Sequence, residues 1–245
     1  FSAAETVVPA LLVYQAVLHA TAARKLIVPD VSMRDGLVLD LARGAGGQAD
    51  AEEAAGSVQS ALTTMEKYHS DMEHARHVAR LSLMLFDALQ NEHRLPPRCR
   101  LLLHVAALLH EIGGFVNGRS HHKHSYYLIA NTEIFGLRAD EREMVANVAR
   151  YHRRATPKAS HLPYVALPRE RRVIVSKLAA ILRVADALER GHAQQVRDVN
   201  VEHGEEEIVL HVSGVTDLAL ERRALEMKAD LFEDVFGLRI RAEEV

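Results

Sequence analysis

The stretch Leu108-Leu109-His110-Glu111-Ile112-Gly113 decides how this chain is read. The run from about Arg98 to Ile112 is apolar on nearly every side, so the spacing predicts a central helix. Pro96-Pro97 precede it, and Gly113-Gly114 are expected to end it. An imidazole and a carboxylate thus sit side by side at the end of a core element. Burying one such group without a partner costs several kcal/mol. Something is expected to share them, most simply a metal ion or a phosphate.

Working outward, further ligand-type residues fall on core-facing stripes. Ser70-x-x-Glu73 reads as a capping box, opening a helix with the stripe His74, Val78, Leu81, Leu85. His121-His122-Lys123-His124-Ser125 opens a second helix, on which His121, His124 and Leu128 share a face. Asp140-x-x-Glu143 reads as another capping box, with the stripe Glu141, Val145, Val148, His152. A helix from about Glu170 to Glu189 carries Val175, Ala179, Leu182 and Asp186 on one face. Taken singly, each group has an ordinary role: His74 or His110 as a hydrogen-bonded core histidine, Glu111 as a cap, Asp186 paired with Arg183 or Lys177. Taken together, an ordered series of histidines and carboxylates on separate helices suits a divalent metal. Such ions bind neutral imidazole and carboxylate oxygen, and their charge offsets the burial of Glu111 and Asp186.

Charge adds a second feature. Between Arg150 and Arg190, ten basic residues face three acidic ones, in a chain of net charge -3. Arginine forks match phosphate, so Arg153, Arg154, Lys177 and Arg183 are candidate phosphate-binding residues. Little aromatic interleaving accompanies them, and no specific nucleic acid is expected.

The rest of the chain sets bounds. Hydrophobic residues make up 48% of 245, which suits a folded core rather than disorder. Cys99 is the single cysteine, so no internal disulfide forms, and a reducing, cytoplasmic setting is expected. Of 15 histidines, nine lie between His69 and His124. Val7 to Ala23 is the nearest thing to a membrane span, but it carries Gln15 and His19 and ends at Arg24-Lys25, so an amphipathic core helix is expected. A strand at Lys25 to Val28 and a helix from Ser32 follow. Opening at Phe1 in mid-pattern, the chain reads as a fragment or a processed form. Residues 43–56, rich in Gly, Ala and acid, read as a linker or mobile loop. From about Val196, strands at Val199 to Val201 and Ile208 to Val212, a helix from about Asp217 to Phe236 and a strand at Leu238 to Arg241 form a small α+β unit. No phosphate-cradling glycine motif is present.

At YHSDMEHARHVARL, LLHEIGGFVNG, HHKHSYYLIAN, ARYHRRATPKASH and LAAILRVADALERGH the sequence resembles the HD phosphohydrolase superfamily. More narrowly, it looks like the C-terminal half of the exopolyphosphatase / guanosine pentaphosphate phosphohydrolase family. VVPALLVYQAVLHA and VPDVSMRDGLVLDL resemble the last elements of that family's actin-like phosphatase domain. The resemblance implies a mainly α fold in four parts: the tail of an actin-like domain (1–43), a linker (44–56), an all-helical HD-type domain (57–192) and a small α+β C-terminal domain (193–245). It places the HD motif on His110-Glu111, the superfamily's first histidine on His74 and its final aspartate on Asp186. Its middle histidines fall on His152 and on one or two of His121, His122 and His124. The sequence departs from the pattern at Glu111, where the superfamily has aspartate. One more methylene moves a carboxylate by about an ångström. That weighs against a dinuclear centre and leaves a single metal, or none, as alternatives.

What the resemblance implies is a metal-dependent phosphohydrolase acting on polyphosphate or a guanosine pentaphosphate. Catalysis would rest on His110 and Glu111. A divalent ion such as Mg or Mn would be held by His74, His110, Glu111, His124, His152 and Asp186, with His121 or His122 as substitutes for His124. A homodimer and no membrane partner are expected. The family's exopolyphosphatase chemistry belongs to the actin-like domains, so these residues alone are not expected to show it. The alternative is a non-catalytic module that binds polyphosphate or a phosphorylated nucleotide and dimerises for a neighbouring catalytic domain.

Overall fold

The computed structural model describes residues 3–21, 23, 25 and 48–245. Two compact units are present, residues 1–49 and 50–245. In the first, α1 (Ala3–Ala20) accommodates Pro9. Its Val8, Leu11, Leu12 and Tyr14 side chains stand exposed, so the apolar stripe assigned to a core is not covered among the described residues. All but Lys25 of the strand expected at Lys25 to Val28, the helix expected from Ser32 and the start of the expected linker lie outside those residues.

The second unit is mainly helical and ends in a small sheet. Its elements are α2 (Gln48–Lys67), α3 (Met72–Ala88), α4 (Gln90–His93), α5 (Arg98–Leu109), a 3-10 turn (Ile112–Phe115), α6 (His121–Ala130), α7 (Ala139–Arg150), α8 (Leu162–Val165) and α9 (Arg169–Leu188). The C-terminal part comprises β1 (Val199–His203), β2 (Glu207–Val212), α10 (Ala219–Glu226), α11 (Asp230–Phe236) and β3 (Arg239–Glu244). Strands β1 and β2 pair antiparallel, with Val201 opposite Leu210; β2 and β3 pair parallel, with Leu210 opposite Ala242. One hydrophobic core runs through both parts. Helix α5 lies within it, as its all-round apolar pattern predicts. Helix α9 packs on α3, α5, α7, α10 and α11, and every residue from Leu178 to Leu188 is buried. Each Leu or Ile buried there contributes about 1.5–3 kcal/mol relative to exposure.

Several expectations are corrected. Residues 48–56, expected as linker, are helical. Their Ala49, Ala51, Ala54 and Ala55 are the best helix formers available, and propensity outweighs the glycine and acid content. Glu53 ties this turn to the core through Arg98, at 3.0 Å. A Cβ on Gly56 would lie 2.6 Å from the Phe135 ring, so the glycine is there for packing. The N-cap of α3 is Asp71, not Ser70; its Oδ1 accepts from the His74 amide at 3.1 Å. At α7 the carboxylate that reaches back belongs to Glu141, which accepts from the Arg138 amide at 3.0 Å. Glu143 instead bonds Tyr126 and Asn147. The long helix expected from Asp217 to Phe236 is two helices, broken at Met227-Lys228-Ala229.

Candidate metal centre

Helix α5 stops at Leu109, and the backbone turns through His110 and Glu111 into the 3-10 turn. Glu111 has φ -108 and ψ 3, the bridge conformation common among active-site residues. Gly113 does not simply end the helix. A Cβ there would stand 2.1 Å from the His121 carbonyl oxygen and 2.3 Å from the Ser125 nitrogen. Only glycine lets the start of α6 approach so closely. Ser125 locks the contact, accepting from the Gly113 amide at 3.0 Å and donating to the His110 carbonyl at 2.7 Å. His121 is thereby carried against His110-Glu111.

Around this turn the structure gathers His74, His110, Glu111, His121, His152 and Asp186. His74 Nε2 lies 3.9 Å from Glu111 Oε2 and 3.7 Å from Asp186 Oδ1. His110 Nε2 is 3.8 Å from Asp186 Oδ1, and His121 Nε2 is 3.8 Å from Glu111 Oε1. Nδ1 of His110 donates to the Ala107 carbonyl at 2.7 Å, and Nδ1 of His152 to that of Ala149 at 2.6 Å. His121 Nδ1 donates to the Gly118 carbonyl at 3.2 Å. A neutral imidazole carries one proton, so in each ring the hydrogen bond leaves the Nε2 lone pair free towards the centre.

Electrostatics favour neutral rings at His74, His121 and His152, while at His110 burial is outweighed by the Asp186 and Glu111 carboxylates, which raise its pKa. Burial, with the nearby His110, lowers His74 to about 4. Burial first, then His110, pushes His152 well below the usual imidazole range. Burial alone would raise Asp186, but the Lys228 ammonium, with His110, holds its carboxyl well below the usual range.

The donor set fits a divalent cation. His110 Nε2 and both ring nitrogens of His74 are buried without a hydrogen-bond partner among the described residues. His121 Nε2 and His152 Nε2, both lone-pair atoms, face each other at 3.1 Å. Two acceptors at that separation repel unless a proton or a cation lies between them. Among the described residues, three groups have ligating atoms within 4.8 Å of one another: His74-His110-Asp186, Glu111-His121-His152 and His74-Glu111-His192.

Not every expected residue joins. His124 belongs to none of these groups, and the buried face of α6 is set by Ser125 and Ile129. His122 also stays outside; burial, then the charge of Arg153, lowers its pKa to about 4. Asp186 pairs with neither Arg183 nor Lys177; it is ion-paired with Lys228. Arg183 is fully buried and donates to the Lys228 carbonyl at 2.9 Å and to Asp230, so it is structural and not a phosphate ligand. Lys177 donates to the His93 carbonyl at 2.7 Å, away from the centre. Arg153 and Arg154 do line the cleft over the cluster, a cavity of about 110 Å³ that also meets Glu111, His121, His152, Asp186, Arg190 and Lys228.

Three contributors escaped the sequence reading. His192 holds a left-handed φ of 51 and stacks on His74 with ring centroids 3.7 Å apart. A non-glycine residue there costs about 1–3 kcal/mol, which surrounding contacts must repay. Its sequence signal was its position six residues after Asp186. Arg190 lies within the basic stretch, where nothing in the sequence sets it apart from its neighbours. Lys228 left no periodic signal, because it sits in the break between α10 and α11.

A family model described as Ppx/GppA phosphatase, domain III, matches residues 58–234, well over half of the chain. The chain is 36% identical over 90 residues to the guanosine-5'-triphosphate,3'-diphosphate pyrophosphatase of Pseudoalteromonas translucida, covering 36% of this chain and 18% of that protein. It is 28% identical over 182 residues to the protein of the same name from Aeromonas hydrophila, covering 74% of this chain and 35% of the relative. With that of Aliivibrio fischeri it shares 26% over 174 residues, 69% of this chain and 33% of the relative. The chain thus spans about a fifth to a third of the length of these curated relatives. The match across residues 58–234 means that the chain belongs to the Ppx/GppA phosphatase family, of which it carries domain III.

Proposed function

We propose that this chain is the HD-type, metal-binding part of a phosphohydrolase of the exopolyphosphatase-like class. The substrate class is phosphate anhydrides, polyphosphate or a phosphorylated guanosine nucleotide, in keeping with the named activity of the relatives. The carrying observation is the pair His121 Nε2 and His152 Nε2, 3.1 Å apart with both Nδ1 protons already committed to carbonyls. Glu111, His121 and His152 would hold a divalent ion such as Mg²⁺ or Mn²⁺, with His74, His110 and Asp186 offering a second donor group beside it. When bound, that ion supplies Lewis acidity and charge neutralisation for attack of water on phosphorus.

The chain's own residues complete the chemistry. Arg153, Arg154 and Arg190 stand exposed at the cleft, where their forks can hold phosphoryl oxygens. Glu111 is partly open to the cleft, placed to take a proton from a water entering beside the phosphate. The apolar floor from α5 and α9 excludes bulk water, which strengthens each of these interactions.

Elemental analysis of protein purified without chelator tests the proposal, with His121→Ala as control. One or more bound divalent ions per wild-type chain, lost in the variant, is expected. No bound metal near neutral pH contradicts it. Binding of tripolyphosphate that persists in chelator would favour the non-catalytic module instead.

A further inference from the structure

Two of the ligand groups share no residue: His74-His110-Asp186 and Glu111-His121-His152. The cluster therefore offers two cation positions. The carboxylate of the first is already paired with a cation of the chain itself. Lys228 Nζ is ion-paired with Asp186 Oδ2, and both side chains are about nine-tenths buried, at 11% and 10% exposure. Nε2 of His74 and of His110 lies 3.7 and 3.8 Å from the other oxygen of the same carboxylate, with no hydrogen-bond partner.

The ammonium is held there by its backbone. The Lys228 carbonyl accepts from Arg183 Nε at 2.9 Å, and its amide donates to the Leu225 carbonyl at 2.9 Å. Arg183 is itself fixed by Asp230, the first residue of α11. The break between α10 and α11 thus delivers one lysine from the C-terminal part into the histidine cluster. Among the described residues, Asp186 is the carboxylate with which Lys228 is ion-paired. A buried carboxylate needs such a partner, and a compact ammonium can supply it without coordination geometry.

We propose that Lys228 is a tethered cation that neutralises Asp186 from its Oδ2 side and so disfavours a divalent ion at the neighbouring His74-His110-Asp186 position. Only the Glu111-His121-His152 position is then left for a metal. This inference rests on the metal-binding reading above and assigns how many ions the domain takes. Removing the ammonium leaves an unpaired carboxylate beside two imidazoles, a donor set suited to a second divalent ion.

The test is a count of Mn²⁺ per chain, by equilibrium dialysis and elemental analysis, in wild type, Lys228→Met and Lys228→Gln. Both variants are purified in the presence of Mn²⁺, so that the exposed demand of Asp186 does not prevent folding. One more Mn²⁺ in the variants than in wild type is expected, together with a larger rise in Tm on adding Mn²⁺. A count equal to or below that of wild type in either folded variant overturns the assignment. The wild-type count judges the metal reading separately. Zero there contradicts that reading, while a rise from zero to one in the variants still supports the role of Lys228.

Discussion

His121 Nε2 lies 3.1 Å from His152 Nε2, and each ring spends its Nδ1 proton on a backbone carbonyl, of Gly118 and Ala149 respectively. Two lone pairs are thus held face to face in a largely buried place. Replacing His121 by Ala removes a ligand and also relieves that repulsion. Mn²⁺ affinity should fall by at least roughly 100-fold, the upper end of the loss seen when only a group supporting a ligand is removed. Stability in chelator should change by less than about 1 kcal/mol. Titration calorimetry and urea unfolding read the two quantities; a large loss of stability without loss of affinity would contradict the assignment.

Gly113→Ala should damage the site from a distance. The added Cβ meets the His121 carbonyl oxygen at 2.1 Å and the Ser125 nitrogen at 2.3 Å, both backbone atoms that cannot rotate aside. A destabilisation of about 3 kcal/mol is expected, at the upper end for overpacking. Metal affinity should fall with it, because α6 carries His121. Gly114→Ala, where a Cβ would meet nothing within 4 Å, is the control and should leave affinity unchanged.

Arg183→Met should unfold the domain more readily without touching the cleft directly. The guanidinium is fully buried, and its loss leaves the Lys228 carbonyl unpaired. A cost of about 2–3 kcal/mol is expected in urea denaturation, discounted for the exposed half of Asp230. A cost near zero would show that Arg183 is not the pin that holds the α10–α11 break.

Phosphate recognition separates the arginines. Arg153→Ala and Arg190→Ala should each weaken tripolyphosphate binding by about tenfold, or about 1.4 kcal/mol, and less so at high salt. Lys177→Ala should leave it unchanged, because its ammonium serves the His93 carbonyl. Equal effects at all three positions would point to diffuse attraction by the basic stretch.

His93 supplies a pH dependence away from the cluster. Its Nε2 donates to the Phe86 carbonyl at 2.8 Å, and its Nδ1 accepts from the Leu95 amide at 2.9 Å, so the ring is neutral. Burial lowers its pKa. The stability this contributes is complete above the unfolded value, near 6.5, and is lost as pH falls from there through the folded value. Urea unfolding between about pH 7.5 and 5 should show stability falling with pH. His93→Gln should reduce that slope by up to about 1.4 kcal/mol per pH unit.

Much of the site was legible because apolar periodicity marks which helical faces are buried. His74, His152 and Asp186 terminate such stripes, and His110-Glu111 end the most apolar helix. What periodicity cannot show is where tertiary packing breaks or turns the chain. Lys228 reaches Asp186 only because Arg183 pins a break in what reads as one helix. His192 stacks on His74 only through a left-handed backbone. Among the middle histidines, the choice of His121 over His124 was set by Gly113, whose missing Cβ fixes the rotation of α6. Lys177 and Arg183 look like the other basic residues of their stretch, yet one binds a remote carbonyl and the other is entombed. The segment 48–56 misled through composition, since the residues that make a linker acidic and small also make good helix.

Anomalous diffraction from a crystal grown with Mn²⁺ tests the central claim most directly. The account predicts a peak among Glu111, His121 Nε2 and His152 Nε2, with Lys228 still on Asp186. Well-ordered side chains there with no anomalous peak, at Mn²⁺ concentrations that saturate other HD-type centres, would contradict it.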